Sequence, residues 1–99
     1  MTTPGVELHF PAVVGVSLDD DALATVLSDG RTISVPLAWY PRLLHGRPEE
    51  RNDWRLIARG EGIHWPVLDE DICVESLIRG KPSSESATSL RRWLAQRGG

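Results

Sequence analysis

Hydrophobic and polar positions alternate along the first third of the chain, and that alternation predicts β-structure. Val6, Leu8 and Phe10 stand two apart with Glu7 and His9 between them, so this piece reads as a strand. Pro11 confines it to an edge or a strand end. Val13 to Leu18 is apolar and β-branched, Asp19-Asp20-Asp21 follows as a polar turn, and Ala22 to Leu27 reads as the next strand. Asp29-Gly30 signals a hairpin, because a type I′ turn needs two positive φ angles, and Thr32 to Val35 is the return strand. A two-residue turn at 29–30 pairs Ser28 with Arg31, Val26 with Ile33 and Ala24 with Val35. A three-residue turn at 19–21 pairs Leu18 with Ala22 and Val16 with Ala24. Both registers put Val14, Val16, Leu18, Ala24, Val26, Ile33 and Val35 on one buried face. Leu23, Thr25, Leu27, Thr32 and Ser34 fall on the other.

The period then shifts to that of helices. Leu37 to Leu44 reads as a short helix bounded by Pro36 and Pro41, with Gly46 as its stop. Pro48 suits a first helical position, Glu49 and Glu50 favour the positive end of the dipole, and Trp54, Ile57 and Ala58 follow at helical spacing. Pro48 to Ala58 therefore predicts a second helix ended by Gly60. Ile72 to Arg79 fits a strand or a helix; Asp71 is placed to cap a helix from Val74 to Arg79, with Gly80 as its stop. Lys81-Pro82-Ser83-Ser84 is a linker, and Ser84 to Gln96 predicts a last helix with Ala87, Leu90, Trp93 and Leu94 on its apolar side. The expected class is α+β: an antiparallel β-meander packed against two or three short helices, with a C-terminal helix. Residues 1–80 form the α+β domain and 81–99 the linker and last helix.

Composition narrows the function classes. Ninety-nine residues make one domain, and 40% hydrophobic with 25% charged content is ordinary for a globular protein. A net charge of −3 argues against a dedicated nucleic-acid binder, which usually carries a basic domain. No apolar run approaches the ~18 residues of a membrane span. The opening Met1-Thr2-Thr3-Pro4-Gly5 lacks the basic-then-apolar order of a signal peptide. The lone Cys73 has no internal disulfide partner, fits a reducing cytoplasm, and reads as a buried, inert thiol.

Candidate chemistry concentrates in Gly60 to Ile72, which holds His64, Trp65, Pro66 and the acids Asp69, Glu70 and Asp71. These side chains include metal-ligand and acid–base types. Consecutive acids point to alternating sides of an extended chain, and no His-x-x-x-His or Cys-x-x-Cys spacing surrounds them. The segment reads instead as a turn fixed by shape: Ile63, Trp65 and Leu68 anchor it, Pro66 stiffens it, and Asp69 and Asp71 offer oxygens to backbone donors. Arg47, Arg51, Arg55 and Arg59 recur every four residues and would form one basic stripe on a helix, beside Glu49, Glu50 and Asp53. Arg91, Arg92 and Arg97 give the last helix a basic side. Of four tryptophans, Trp39, Trp54 and Trp65 read as core and Trp93 as an interface anchor or a docking residue. No Gly-x-Ser-x-Gly elbow, phosphate loop or dinucleotide loop is present.

Asp29-Gly30-Arg31, Val35-Pro36-Leu37 and Trp39-Tyr40-Pro41-Arg42-Leu43 resemble a small bacterial family, domain of unknown function 2442. So do Pro48-Glu49-Glu50-Arg51, Trp54, Gly62-Ile63-His64-Trp65-Pro66, Leu68-Asp69-Glu70-Asp71-Ile72 and Leu77. The resemblance covers about residues 12 to 80. It implies a compact α+β domain without established catalysis, found alone, beside toxin-like small proteins, or before a helix-turn-helix. Arg47 departs from the Ser or Thr that members often carry there, and the tail from Lys81 is too short for a helix-turn-helix.

The expected function is that of a non-catalytic, cytoplasmic protein-binding module, antitoxin-like or regulatory, with no catalytic residue, cofactor or metal. A protein partner is expected, either a toxin-like small protein or a second copy. Nucleic acid is not favoured and no membrane is involved. The expected contact surface is Arg42, Arg47, Arg51, Arg55, Arg91, Arg92 and Trp93. The alternatives are a small metal- or acid-assisted enzyme using His64 with Asp69 and Asp71, and a DNA-binding transcriptional accessory.

Overall fold

The computed structural model describes residues 10–98, so the strand expected through Val6 and Leu8 lies outside the described residues. Three strands, β1 (Val13–Leu18), β2 (Ala22–Leu27) and β3 (Thr32–Pro36), form the expected antiparallel meander in the order β1-β2-β3. Its register differs by one residue on both sides of β2. Leu18 pairs with Leu23 and Val16 with Thr25; Thr25 pairs with Ile33 and Leu23 with Val35.

The two turns have exchanged lengths. The Asp19 carboxylate accepts from the amides of Asp21 and Ala22, both at 2.7 Å, and the Asp19 amide donates to the Ala22 carbonyl at 3.1 Å. Asp19 is thereby drawn into the closing pair, leaving a two-residue turn. At the other hairpin Ser28 is held by β1: its amide donates to the Ala12 carbonyl and its hydroxyl accepts from the Ala12 amide. Leu27 then closes on Arg31 around a three-residue loop in which Gly30 takes a φ of 94°. A bulge between Val13 and Gly15 absorbs the mismatch with Ala12.

A one-residue slip turns a strand over. Leu23, Thr25 and Leu27 are buried, whereas Val26, expected inside, is exposed, and so is Val14 at the bulge. Val16, Leu18, Ile33 and Val35 keep their inward places, because their own strands were not inverted.

The helix expected over Pro48–Ala58 stops after one turn. Between Trp39 and that turn, Tyr40 breaks Leu37–Leu44 into a 3₁₀ turn at Leu37–Trp39 and a short α1 (Pro41–Leu44). Helix α2 covers only Pro48–Arg51. Arg47 supplies no side-chain cap there; the Glu50 carboxylate instead accepts from the Arg47 amide at 2.8 Å. Arg55–Ile57 is a strand, β4, paired with β5 (Gly62–Trp65), which pairs in turn with β6 (Glu70–Cys73). Trp54, Ile57 and Ala58 have helical spacing, but the sheet partner outweighs the propensity, and Ala58 and Arg59 adopt left-handed angles no helix allows. The four-residue arginine repeat therefore forms no stripe.

Of the two readings open for Ile72–Arg79, the helix α3 (Val74–Arg79) forms, with Gly80 left-handed at its end; α4 (Ala87–Gln96) begins three residues later than the expected Ser84, because Ser86 caps it by accepting from the Ser89 amide. Asp71 does not cap α3; Cys73 occupies the N-cap position and is exposed rather than buried. Both sheets, α1, α3 and α4 feed one core, which includes Leu23, Leu27, Leu43, Ile63, Trp65, Leu68, Leu77 and Trp93. Phe10 packs on its margin, and the Arg79 guanidinium lies 5.9 Å from its ring.

The two sheets meet at Gly60. A Cβ there would lie 2.8 Å from the Val13 carbonyl oxygen, and φ is 89°. Gly30 has a similar φ of 94° with nothing within 4 Å. Gly30→Ala should cost only the left-handed strain, about 1–2 kcal/mol. Gly60→Ala adds a backbone clash and should cost at least about 1 kcal/mol more. Chemical denaturation of both variants checks this; equal losses would contradict the crowding at Gly60.

Candidate functional site

The segment Gly60 to Ile72 is a hairpin, β5–turn–β6, and the strand period sorts its side chains. Ile63, Trp65, Glu70 and Ile72 share the inward face, while His64 and Asp71 pair across the outward one. Trp65 is fully buried and its indole N–H donates to the Arg51 carbonyl at 2.8 Å. Pro66 opens the turn, and its carbonyl accepts from the Asp69 amide at 3.4 Å. Asp69 itself is left-handed, with φ of 53°. His64 Nδ1 lies 2.5 Å from Asp71 Oδ1 on the surface. The acids therefore serve three different purposes, and Asp69 and Asp71 do not converge with His64 on one point.

Glu70 is the unusual member. Its Oε1 accepts from the Asp71 amide at 3.1 Å, and its Oε2 is buried with no partner among the described residues. Burial pushes this carboxyl above the usual carboxylate range, opposed chiefly by the Asp71 amide and then by the Arg42 charge. Across from it Tyr40 is buried, with a hydroxyl that donates to the Lys81 carbonyl at 3.4 Å and a pKa pushed up to about 12, first by burial and then by Glu70. A hollow of about 420 Å³ opens beside these two residues, bordered by Cys73, Ser76, Pro82 and Ser84. A second, of about 330 Å³, lies between Arg42, Asp69, Glu85 and Ser89. Both include Glu70, Ser83 and Ser84, so they form one groove between the β6 edge and the linker.

The expected contact residues divide into two groups. Arg42 is a strut. Its Nε donates to Glu85 at 2.9 Å, its Nη2 lies 2.6 Å from the same carboxylate, and its Nη1 donates to the Asp69 carbonyl at 3.0 Å. The hydrogen bonds to Glu85 raise the Arg42 pKa and hold Glu85 below the usual carboxylate range. Arg42 and Arg97 both lie over the Trp93 ring, 5.1 and 4.7 Å from its centroid, and Arg97 pairs with Glu50 at 2.7 Å. Trp93, only 8% exposed, is thus a docking residue for α4 rather than a free anchor. Arg51 closes α1 by donating to the Leu43 and Leu44 carbonyls, both at 2.8 Å. Arg47, Arg55, Arg91 and Arg92 remain exposed, on the start of α2, on β4 and on α4.

The acids stand out in the sequence, but spacing alone neither separates Glu70 from its neighbours nor joins it to Tyr40, Glu85 and the linker serines. The signal was present: once Trp65 faces inward, the residue paired with it in a tight hairpin must face inward too.

The described residues form a small α+β domain with two three-stranded sheets. The model for "Protein of unknown function (DUF2442)" matches residues 13–83, and the chain belongs to that family. Its fold is similar to that of a protein of unknown function from Rhodospirillum rubrum, with 20% identity, a TM-score of 0.68, and coverage of 78% of this chain and 95% of that one. It is also similar to an uncharacterized protein from Chromobacterium violaceum, with 18% identity, a TM-score of 0.63, and coverage of 87% and 75%. No curated protein matches this chain. Helix α4 lies beyond the matched residues.

Two outcomes follow from these placements. Arg42→Ala should cost about 2 kcal/mol, since it strands Glu85 and unstacks Trp93, whereas Arg91→Ala and Arg92→Ala should stay within about 0.5 kcal/mol. Thermal melts distinguish a strut from a free surface cation. Glu70→Gln should raise the melting temperature at neutral pH. A carboxyl whose folded pKa is raised contributes stability below its unfolded pKa and loses it as pH rises through the folded one. The wild-type and Gln curves should therefore converge toward acid pH; a constant offset would contradict the burial of a charged Glu70.

Proposed function

We propose that the chain is a non-catalytic protein-binding module, an antitoxin-like or regulatory accessory protein of a small bacterial operon, acting in the cytoplasm. The observation that carries this reading is the edge of β4, which has no strand beside it among the described residues. Arg55, Leu56 and Ile57 are all exposed, Leu56 and Ile57 by 39% and 41%, on a strand that among the described residues pairs with β5 alone. An unprotected edge offers backbone donors and acceptors to an incoming strand, and flanking apolar side chains add burial. The partner that fits is a small protein offering a strand with apolar residues, with Arg55 at the rim.

A second reading, acid–base catalysis, draws on the His64–Asp71 pair, since a carboxylate-oriented imidazole is the geometry of a general base. His64 lines neither hollow, and among the described residues no three His, Cys, Asp or Glu side chains gather to hold a metal ion. The exposed arginines lie on separate elements of an acidic chain, which weighs against a DNA surface. Among the described residues no helix is long and apolar enough to cross a membrane.

The test is affinity capture from the native host with the wild-type chain and with Leu56→Lys. Wild type should retain one reproducible protein, and the variant should lose at least about nine-tenths of it, near 1.4 kcal/mol, while melting normally. A monomer that captures nothing reproducible, or capture unaffected by Leu56→Lys, would sink this reading.

A further inference from the structure

We propose that the groove over Glu70 is a slot for the cationic tip of a lysine or arginine side chain presented by a partner chain. The larger hollow has two kinds of wall. Tyr40, Ile72 and Pro82 border it with apolar surface suited to an aliphatic stem, while Glu70 supplies a carboxylate; the Asp71 carboxylate is paired with His64 on the other face of the hairpin. Glu70 Oε2 has no donor among the described residues, a state that costs free energy in any folded protein. Donors stand close but are engaged elsewhere. The Tyr40 hydroxyl gives its hydrogen to the Lys81 carbonyl, and Arg42 is held by Glu85 and the Asp69 carbonyl. Lys81 borders the same hollow, yet its ammonium forms no ion pair with Glu70 or Asp71.

The local charge balance points the same way. Asp71 and Glu85 add negative potential at Glu70, and Arg42 opposes it. A ligand that brings hydrogen-bond donors, one positive charge and a hydrocarbon stem matches all three features, and the Tyr40 ring offers a further attraction for a cation. Oε2 is shielded from solvent, so the ligand meets it by turning the carboxylate toward the groove that Glu70 lines. Only the source of the cation, a partner chain, rests on the protein-binding reading; the chemistry of the slot does not.

The experiment titrates the full chain with acetyl-Gly-Lys-Gly-amide and acetyl-Gly-Arg-Gly-amide, following backbone amide shifts. The Gln tripeptide is the neutral control and putrescine the free diamine. Saturable shifts at Tyr40, Asp71, Ser83 and Ser84 are expected with at least one cationic peptide and not with the Gln peptide. Glu70→Gln should weaken that binding by at least about tenfold while raising the melting temperature, so loss of binding cannot be loss of fold. No saturable shift, or equal binding by Glu70→Gln, overturns the slot. Putrescine binding more tightly than both peptides overturns the partner-chain source. The Leu56→Lys capture experiment probes the opposite edge of the sheet, so the two proposals fail separately.

Discussion

Trp65 is wholly enclosed, and an enclosed indole N–H must find an acceptor. It finds the Arg51 carbonyl at the end of α2, so one hydrogen bond ties the second sheet to the helical corner. Much else depends on that attachment. The inward indole sets the parity of β5, the hairpin transfers that parity to β6, and Glu70 is carried under Tyr40 as a result. Arg51, whose carbonyl receives the indole, uses its guanidinium to close α1. The turn that places Asp69 beside Arg42 follows from the same hairpin. The polar groove is therefore a by-product of where a large apolar ring had to go.

The arginines show how charge is used in a small acidic chain. Arg42, Arg51 and Arg97 lie along buried surfaces and satisfy carbonyls, carboxylates and one aromatic face. Arg42 and Arg97 tie parts of the chain that are distant in sequence, while Arg51 joins α2 to the nearby end of α1. Such pairs contribute because they are shielded and forked, unlike the open pair Arg79–Glu75 along α3. The basic residues left over are scattered, and two of the exposed apolar groups, Leu56 and Ile57, lie side by side on β4.

Much of the fold was legible in the residues. The meander, α4 and the anchoring roles of Ile63, Trp65 and Leu68 follow from period and composition, whereas Ile72–Arg79 fits strand and helix alike and turns out to hold the end of β6 followed by α3. The registers were not, because turn length depends on side-chain bonds that composition does not reveal: Asp19 bonding forward to Ala22, and Ser28 engaged by Ala12. The helix over Pro48–Ala58 failed for a different reason. Three apolar residues at helical spacing are also compatible with a strand, and a partner strand distant in neither space nor sequence decided the matter. Cys73 was misplaced because its apolar neighbours alternate across an edge strand, leaving the thiol outside. The candidate groove was half legible: the acids stood out, but the middle one became distinct only when its cross-strand neighbour was known.

The stacking of Arg42 and Arg97 on Trp93 has a consequence for how the molecule is made. Arg42 and Glu50 leave the ribosome well before Glu85 and Arg97. Until the last helix emerges, the nascent domain carries a cation and a carboxylate facing a bare apolar patch. During that interval α4 is not there to cover the patch, so the order of synthesis leaves open for a time an apolar face that the finished protein has closed.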